Sequence, residues 1–406
     1  MPRIALYLPN FAGGGRERVM LHLAEGFLAG GYSVDLVVNR AEGAYLGRVP
    51  QRADVVELKR HNVILGRLLA LRATSPKGWR ALARPVLFSR KPSGELRYLG
   101  SLVRYLRTYH PAGLIAAGPY CNLNAVWARR LVQVCTRVML TAHNTLSRMI
   151  ADKGRKGAKW RELPFLIGCI YRQADAIVAV SQGVADDLSS TAGLPRERIT
   201  TIYNPVVTPE LAALPAAPAP HPWLEDGGPP VIVAAGRLVP QKNFPLLIEA
   251  FARLRRRRLA RLLILGEGEQ RGELEALASQ LSIAADVALP GFVANPYAAF
   301  ARAALFVLSS DYEGLGNVVI EALACGCPVV STDCPSGPAE ILDNGRYGEL
   351  VPVGDAAALS AAMARALDAP PPRELLRRRG DDFTLEDGAR RYLDLLLPGR
   401  GTSTHE

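Results

Sequence analysis

The sequence predicts an α/β protein of two doubly wound domains, each a parallel sheet covered by helices on both faces. Short apolar runs of strand length alternate with segments of helical spacing in both halves of the chain. One proline-rich stretch, residues 205–230, interrupts that alternation. The length, 406 residues, exceeds what one hydrophobic core usually supports.

In chain order, residues 4–8 read as a strand, 16–28 as a helix burying Val19, Leu21, Leu23, Ala24 and Phe27, and 33–38 as the next strand. From Arg60 to Tyr109 runs a basic stretch with apolar residues at helical spacing, among them Leu65, Leu68, Leu69, Leu99, Leu102, Val103 and Leu106. Strand-like runs follow at 113–116, 137–141 and 176–180. Eight prolines from Pro205 to Pro230 exclude a helix or an inner strand there. Residues 205–230 are therefore expected to link a first domain, 1–204, to a second, 231–384. The second domain is expected to hold strands at 231–235, 261–265, 304–308 and 328–331, and helices at 244–256, 269–281, 316–325 and 356–367. The segment 385–406, with a helix at 385–396, is expected to cross back to the first domain. Ligands of open parallel sheets bind at the carboxyl ends of the strands, so the chemistry is expected in a cleft shared by the two domains.

Composition narrows the function classes. Hydrophobic residues make up 49% and charged residues 21%, a folded rather than a disordered balance. No stretch approaches the roughly 18 apolar residues of a membrane span. The start MPRIALYLPN lacks the basic residues, long apolar run and cleavage site of a secretory signal. Cys121, Cys135, Cys169, Cys325, Cys327 and Cys334 form no metal-ligand spacing and read as buried small hydrophobes in a reducing cytoplasm. Neither a metal nor a resident cofactor is expected. Charge is divided: residues 1–204 carry 30 Lys/Arg against 13 Asp/Glu, whereas residues 205–406 carry 19 against 25. A basic first half suits an anionic membrane surface or a phosphorylated acceptor. It lacks the interleaved aromatics and helix-turn-helix or zinc spacing of a nucleic-acid binder, and no nucleic acid is expected. The run 255–258, all arginine, reads as a solvated helix end.

The sharpest constellation follows the strand at 304–308. In Glu313-Gly-Leu-Gly-Asn-Val-Val-Ile-Glu321, a glycine-rich turn opens a helix and leaves backbone N–H groups at Leu315, Gly316, Asn317 and Val318. Such groups suit a diphosphate, while Glu313 and Glu321 can accept hydrogen bonds from sugar hydroxyls on either side of it. Gly236, Arg237 and Lys242 leave the carboxyl end of the strand at 231–235, and the two cations suit the same diphosphate and the charge that develops on it.

The order GRLxxxK at 236–242, GFV at 291–293 and EGLGNVVIEALACGCPVV from Glu313 resembles the retaining glycosyltransferases of family 4. The likeness is strong over about 230–355 and loose in the first half. It implies the GT-B fold and a nucleotide-diphosphate sugar, with a UDP-sugar favoured, as donor. Arg237 and Lys242 would hold the diphosphate, Glu313 the transferred sugar and Glu321 the ribose, with the backbone near Phe292 and Val293 at the base. Gly14 and Gly15 would let the chain approach donor phosphates or acceptor closely. His143, in TAHNT, matches the family's first-domain histidine near the transferred sugar, and Asn204 in the YNP motif shapes the crossover. Glu313, His143, Arg237 and Lys242 form the expected catalytic set.

The resemblance implies transfer with retained anomeric configuration and no bound metal, and the sequence contains no Asp-x-Asp clamp. The segment STDCPSGPAEIL resembles that of transferases building bacterial surface glycans on polyprenyl diphosphate. The expected acceptor is a glycan or a polyprenyl-diphosphate-linked glycan, and the expected place the cytoplasm, peripheral on the inner face of the cytoplasmic membrane. Three other function classes meet parts of this pattern. A sugar phosphorylase or nucleotide-sugar epimerase would keep the fold and change the reaction. A basic nucleic-acid binder would put the charged half to another use. A nicotinamide-dependent oxidoreductase fails because Arg18 stands where the dinucleotide fingerprint needs glycine.

Overall fold

The computed structural model describes residues 1–153, 157–212 and 214–399. They divide into two units: Met1–Pro205 with the chain from Leu385 onward, and Val206–Thr384.

Unit 1 is a seven-stranded sheet. Its strands are β1 (Arg3–Leu8), β2 (Ser33–Val38), β3 (Asp54–Glu57), β4 (Gly113–Ala117), β5 (Arg137–Ala142), β6 (Ala176–Ala179) and β7 (Ile199–Thr201), in the order β3-β2-β1-β4-β5-β6-β7. Every pairing is parallel; Leu6 of β1 stands opposite Leu36 on one side and Ile115 on the other. Ile4 through Leu8 are fully buried, as a strand covered on both faces must be. The order reverses between β1 and β4, which makes their carboxyl ends the switch point of this sheet.

The helix Gly15–Ala29 buries Val19, Met20, Leu23, Ala24 and Phe27 against this sheet. The helix Leu385–Leu396 belongs to the same unit, with Ala389, Tyr392, Leu393 and Leu396 in that core. Its Leu396 carbonyl accepts from Arg137 Nε at 2.7 Å.

Unit 2 is a six-stranded parallel sheet. Its strands are β8 (Val231–Ala235), β9 (Arg261–Leu265), β10 (Val287–Gly291), β11 (Leu305–Leu308), β12 (Val329–Thr332) and β13 (Glu349–Val351), ordered β10-β9-β8-β11-β12-β13. The helices Phe244–Arg255 and Ala356–Asp368 close one face with Leu247, Phe251, Leu359 and Met363. Here the order reverses between β8 and β11.

Residues 205–230 are not the linker expected from their prolines. The described part is built into unit 2, whose boundary falls between Pro205 and Val206. Val206 and Val207 N–H both donate to the Phe383 carbonyl at 3.0 Å. Farther along, Arg302 Nη1 donates to Pro215 O at 2.8 Å, and Arg261 pairs with Asp226 at 2.5 Å. Prolines forbid helix and inner strand, but they fit the short 3-10 turns Pro209–Ala212 and Pro222–Leu224 that dock here. Of the cysteines expected to be buried, Cys135 is exposed and Cys169 half-buried. Arg255 and Arg258 of the arginine run are not purely solvated, since they close onto Asp286 and Asp368 at 2.8 and 2.7 Å. Among the described residues no helix is long and apolar enough to cross a membrane.

Candidate active site

Unit 2 brings Gly236, Arg237, Lys242, Glu313 and the turn Leu315–Val318 to the carboxyl ends of β8 and β11, the two strands at which the sheet order reverses. After β8 the chain passes Gly236 and Arg237, makes a 3-10 turn at Pro240–Lys242, and reaches Asn243. Asn243 adopts the left-handed conformation (φ 45°), and its side-chain oxygen caps the helix Phe244–Arg255 by accepting from Leu246 N–H. The loop after β11 lies against this one. Asp311 N–H donates to Gln241 O at 2.9 Å, Gln241 Nε2 to Tyr312 O at 2.9 Å, Asn243 Nδ2 to Asp311 Oδ1 at 2.7 Å, and Ser309 Oγ to Lys242 O at 2.8 Å.

This lacing sets Lys242 Nζ 2.6 Å from Glu313 Oε1. The buried Ser310 hydroxyl donates to the same oxygen at 2.7 Å. Two donors on Oε1 orient the carboxylate, while Oε2 has no donor among the described residues. The sequence reading gave Lys242 to a phosphate and Glu313 to a sugar as separate tasks; the structure joins them in one pair. The Lys242 side chain runs over Gly236, whose N–H is already engaged by Leu265 O at 2.9 Å.

Past Glu313 the chain turns through Leu315 and Gly316 (φ 91°) into the helix Asn317–Ala324. Leu315 to Val318 supply the amides that open this helix, a place where an anion meets N–H groups and the positive end of the dipole. Gly337 (φ 99°) presses on the turn from behind: a Cβ there would lie 1.9 Å from the Leu315 carbonyl oxygen. Glu321, one turn into the helix, is buried. Burial and then the neighbouring Glu321 push the Cys325 thiol up to about 12. Cys334 lies near Glu313 and Lys242, and burial followed by the Glu313 charge pushes its thiol up to about 12 as well. Neither is a thiolate nucleophile at neutral pH.

Of the other predicted residues of unit 2, those after β10 stand apart from the β8/β11 switch point. Arg237 is exposed and makes no ion pair among the described residues. Phe292, 64% exposed, and the half-buried Val293 follow β10, at the far edge of the sheet.

Unit 1 has its own group at the β1/β4 switch point. Gly14 caps the helix Gly15–Ala29, and its N–H is taken by Glu17 Oε2 at 3.0 Å. The Gly14 amide is thus already engaged by a carboxylate, and Gly15 is the first residue of the helix. Arg16 pairs with Glu17 through Nε at 2.9 Å and reaches over β4, where a Cβ on Gly118 would lie 2.9 Å from its Nη1. His143 follows β5. The Thr141 hydroxyl donates to Ala116 O at 2.8 Å, so its oxygen accepts from His143 Nε2–H at 3.0 Å. His143 Nδ1 then carries the lone pair. Burial and then the Arg16 guanidinium lower the imidazole pKa to about 3, so the ring is neutral at physiological pH.

Sequence reasoning passed over Ser310, Asn243, Arg16 and Glu17. The legible signals were an asparagine directly before Phe244-Pro245, a helix-start pattern, and a glutamate three residues after Gly14, a capping box. Ser310 had no such signal, because its role depends on which oxygen of Glu313 it faces.

Known proteins resemble this chain along most of its length. Residues 13–209 match the family described as Glycosyltransferase Family 4, and residues 219–383 match Glycosyl transferases group 1. The N-acetylgalactosamine-N,N'-diacetylbacillosaminyl-diphospho-undecaprenol 4-alpha-N-acetylgalactosaminyltransferase of Campylobacter jejuni is 38% identical over 47% of this chain and 50% of its own. The lipopolysaccharide core biosynthesis glycosyltransferase LpsE of Rhizobium meliloti is 35% identical over 56% of this chain and 65% of its own. The chain therefore spans half to just under two thirds of these relatives. Among solved structures, Anabaena Alr3699/HepE in complex with UDP and glucose superposes with a TM-score of 0.73 at 18% identity, covering 98% of this chain and 100% of that one. The apo form of the lipopolysaccharide outer core galactosyltransferase WaaB gives 0.69 at 18% identity, over 97% and 99%. At that identity the likeness shows the fold, two parallel-sheet Rossmann-like domains of the GT-B type.

Proposed function

The chain belongs to the glycosyltransferases of family 4, and from that membership we propose that it moves a sugar from a nucleotide-diphosphate donor to a hydroxyl of a glycan or lipid-linked acceptor. The observation that carries this reading is the Lys242–Glu313 pair at the β8/β11 switch point, beside the opening of the helix Asn317–Ala324. Amides and Arg237 suit the diphosphate, and the oriented Glu313 carboxylate suits sugar hydroxyls. A UDP-sugar is the donor we favour, because the similarly folded Anabaena Alr3699/HepE has been solved in complex with UDP and glucose.

The configuration is proposed to be retained. The bond from the anomeric carbon to the diphosphate oxygen breaks, the acceptor oxygen bonds to the same face, and its proton passes to the departing phosphate. Arg237 and the helix amides stabilise the charge on that leaving group. No metal is assigned to this step, since the sequence carries no Asp-x-Asp clamp. His143, neutral and with its Nε2–H spent on Thr141, is assigned to hydrogen bonding through Nδ1 rather than to donating a proton. Relatives named for lipopolysaccharide core and diphospho-undecaprenol substrates support surface-glycan synthesis. We place the work at the cytoplasmic face of an anionic membrane.

Thermal shift with UDP, GDP and ADP tests the donor site. A nucleotide at 100 times its dissociation constant stabilises the protein by about 2.7 kcal/mol. One nucleotide should raise Tm and lose most of that effect in Arg237→Ala. Three flat responses in the parent protein would count against the reading. NMR of the product anomer and activity in chelator test retention and metal independence.

A further inference from the structure

We propose that the face of unit 1 formed by the helix Val63–Ala73 and the segment 74–91 docks on an anionic lipid bilayer, with Ile64, Leu68 and Phe88 entering the headgroup region. This rests on the reading of the chain as a transferase whose acceptor is presented at a membrane.

The inward side of that helix is fixed by Gly66, Ala70 and Ala73, which are buried. Gly66 lies so close to Leu96 that a Cβ would stand 2.2 Å from its carbonyl oxygen. The outward side therefore carries Ile64 (58% exposed) and Leu68 (59%), one turn apart, followed by Arg72. Arg67 Nη2 donates to Ser89 O at 2.5 Å and holds the 88–89 turn beside the helix, where Phe88 is 79% exposed. Trp79 Nε1 donates to Thr74 O at 3.0 Å, which keeps that half-exposed indole at the helix end. Large apolar side chains thus protrude from three adjoining segments.

Charge chooses the occupant. From residue 58 to residue 94 the sequence has nine Lys/Arg and no Asp or Glu. Arg72, Lys77, Arg80, Arg90 and Lys91 are exposed and pair with no carboxylate among the described residues. Protruding apolar side chains set among unpaired cations suit insertion between anionic headgroups.

The test is co-sedimentation of the full chain with vesicles of phosphatidylcholine alone and of phosphatidylcholine with phosphatidylglycerol, at low and high salt. The parent protein should sediment with the anionic vesicles in low salt. Leu68→Glu with Phe88→Ser should weaken that binding by roughly a hundredfold or more, the loss expected for removing two inserted apolar side chains. Arg90→Glu with Lys91→Glu should weaken it and flatten the salt dependence. Failure of the parent protein to sediment, equal binding by the variants, or equal binding to both vesicle types would each overturn the proposal. So would a dimer in solution that Leu68→Glu dissociates, which would make a second copy the occupant. Nucleotide-induced thermal shift is measured on the same samples. Its absence with vesicle binding intact would sink the transferase reading alone, and its persistence without vesicle binding would sink the docking face alone.

Discussion

Lys242 Nζ and Glu313 Oε1 lie 2.6 Å apart across two loops that are 71 residues apart in sequence, both side chains mostly shielded from water. The pair ties the loop after β8 to the loop after β11, so the Glu313 carboxylate and the frame that holds it are one object. Removing Lys242 leaves Glu313 poorly solvated and uncompensated. Lys242→Ala should cost about 3 kcal/mol of stability and abolish nucleotide-induced thermal shift. The double variant Lys242→Met with Glu313→Leu should regain most of the stability and none of the activity. Urea denaturation of Lys242→Met, Glu313→Leu and the double would check this, and strict additivity would mean the pair is not coupled.

Ser310 should act through Glu313. Ser310→Ala removes one of two donors on Oε1 and is expected to cost about 1 kcal/mol in stability. Its larger effect should be on kcat, with KM for the donor changed little, because the carboxylate loses its orientation and not its charge. A rise in KM at constant kcat would place Ser310 in binding instead.

His143 predicts a pH dependence. In the unfolded chain the imidazole takes its proton near 6.5, but in the folded protein near 3. Between those values the unfolded state binds the extra proton, so stability falls as pH drops from about 6.5 toward 3. The slope should shrink in His143→Gln. Comparing unfolding midpoints of parent and variant between about pH 7.5 and 4.5 isolates this group, and identical slopes would refute it.

Gly337→Ala should be damaging well beyond its size. The new methyl would meet the Leu315 carbonyl in a backbone conformation that alanine resists. We expect a loss of about 2 kcal/mol or more, together with weakened nucleotide binding, since the displaced residue adjoins Gly316. Gly354→Ala, a left-handed position (φ 81°) with nothing within 4 Å, is the control for backbone strain alone.

Tyr392→Phe should be neutral or mildly stabilising. The phenol is fully buried, and its hydroxyl has no partner among the described residues. Removing an unsatisfied polar atom while keeping the ring relieves a cost of about 1 kcal/mol. A Tm that falls by several degrees would show that the hydroxyl has a partner after all.

Inner strands were legible because burial on both faces leaves an unbroken apolar run, as in β1, β5, β8 and β9. β3, β7, β10 and β13 went unread because edge strands need no such run: Asp54 and Glu57 of β3 are exposed, and β13 has three residues. Within the site, backbone features could be read from glycine and helix-start patterns. What escaped the sequence was pairing at a distance. Nothing at position 242 shows that its ammonium meets residue 313, nor that a serine will share that carboxylate. The prolines of 205–230 misled for a related reason: they state which structures are forbidden and are silent on what the segment packs against.

The helix Leu385–Leu396 completes a unit that begins at the other end of the chain. On the ribosome, all of Val206–Thr384 emerges first, so unit 2 can finish folding while unit 1 is still missing a wall of its core. Met20, Leu23, Ala24 and Phe27 share that core with Ala389, Tyr392 and Leu393. For the time needed to make those intervening residues, the nascent protein carries an apolar seam that a chaperone can hold or a neighbouring chain can capture. A stop codon just before Leu385 would make that interval permanent.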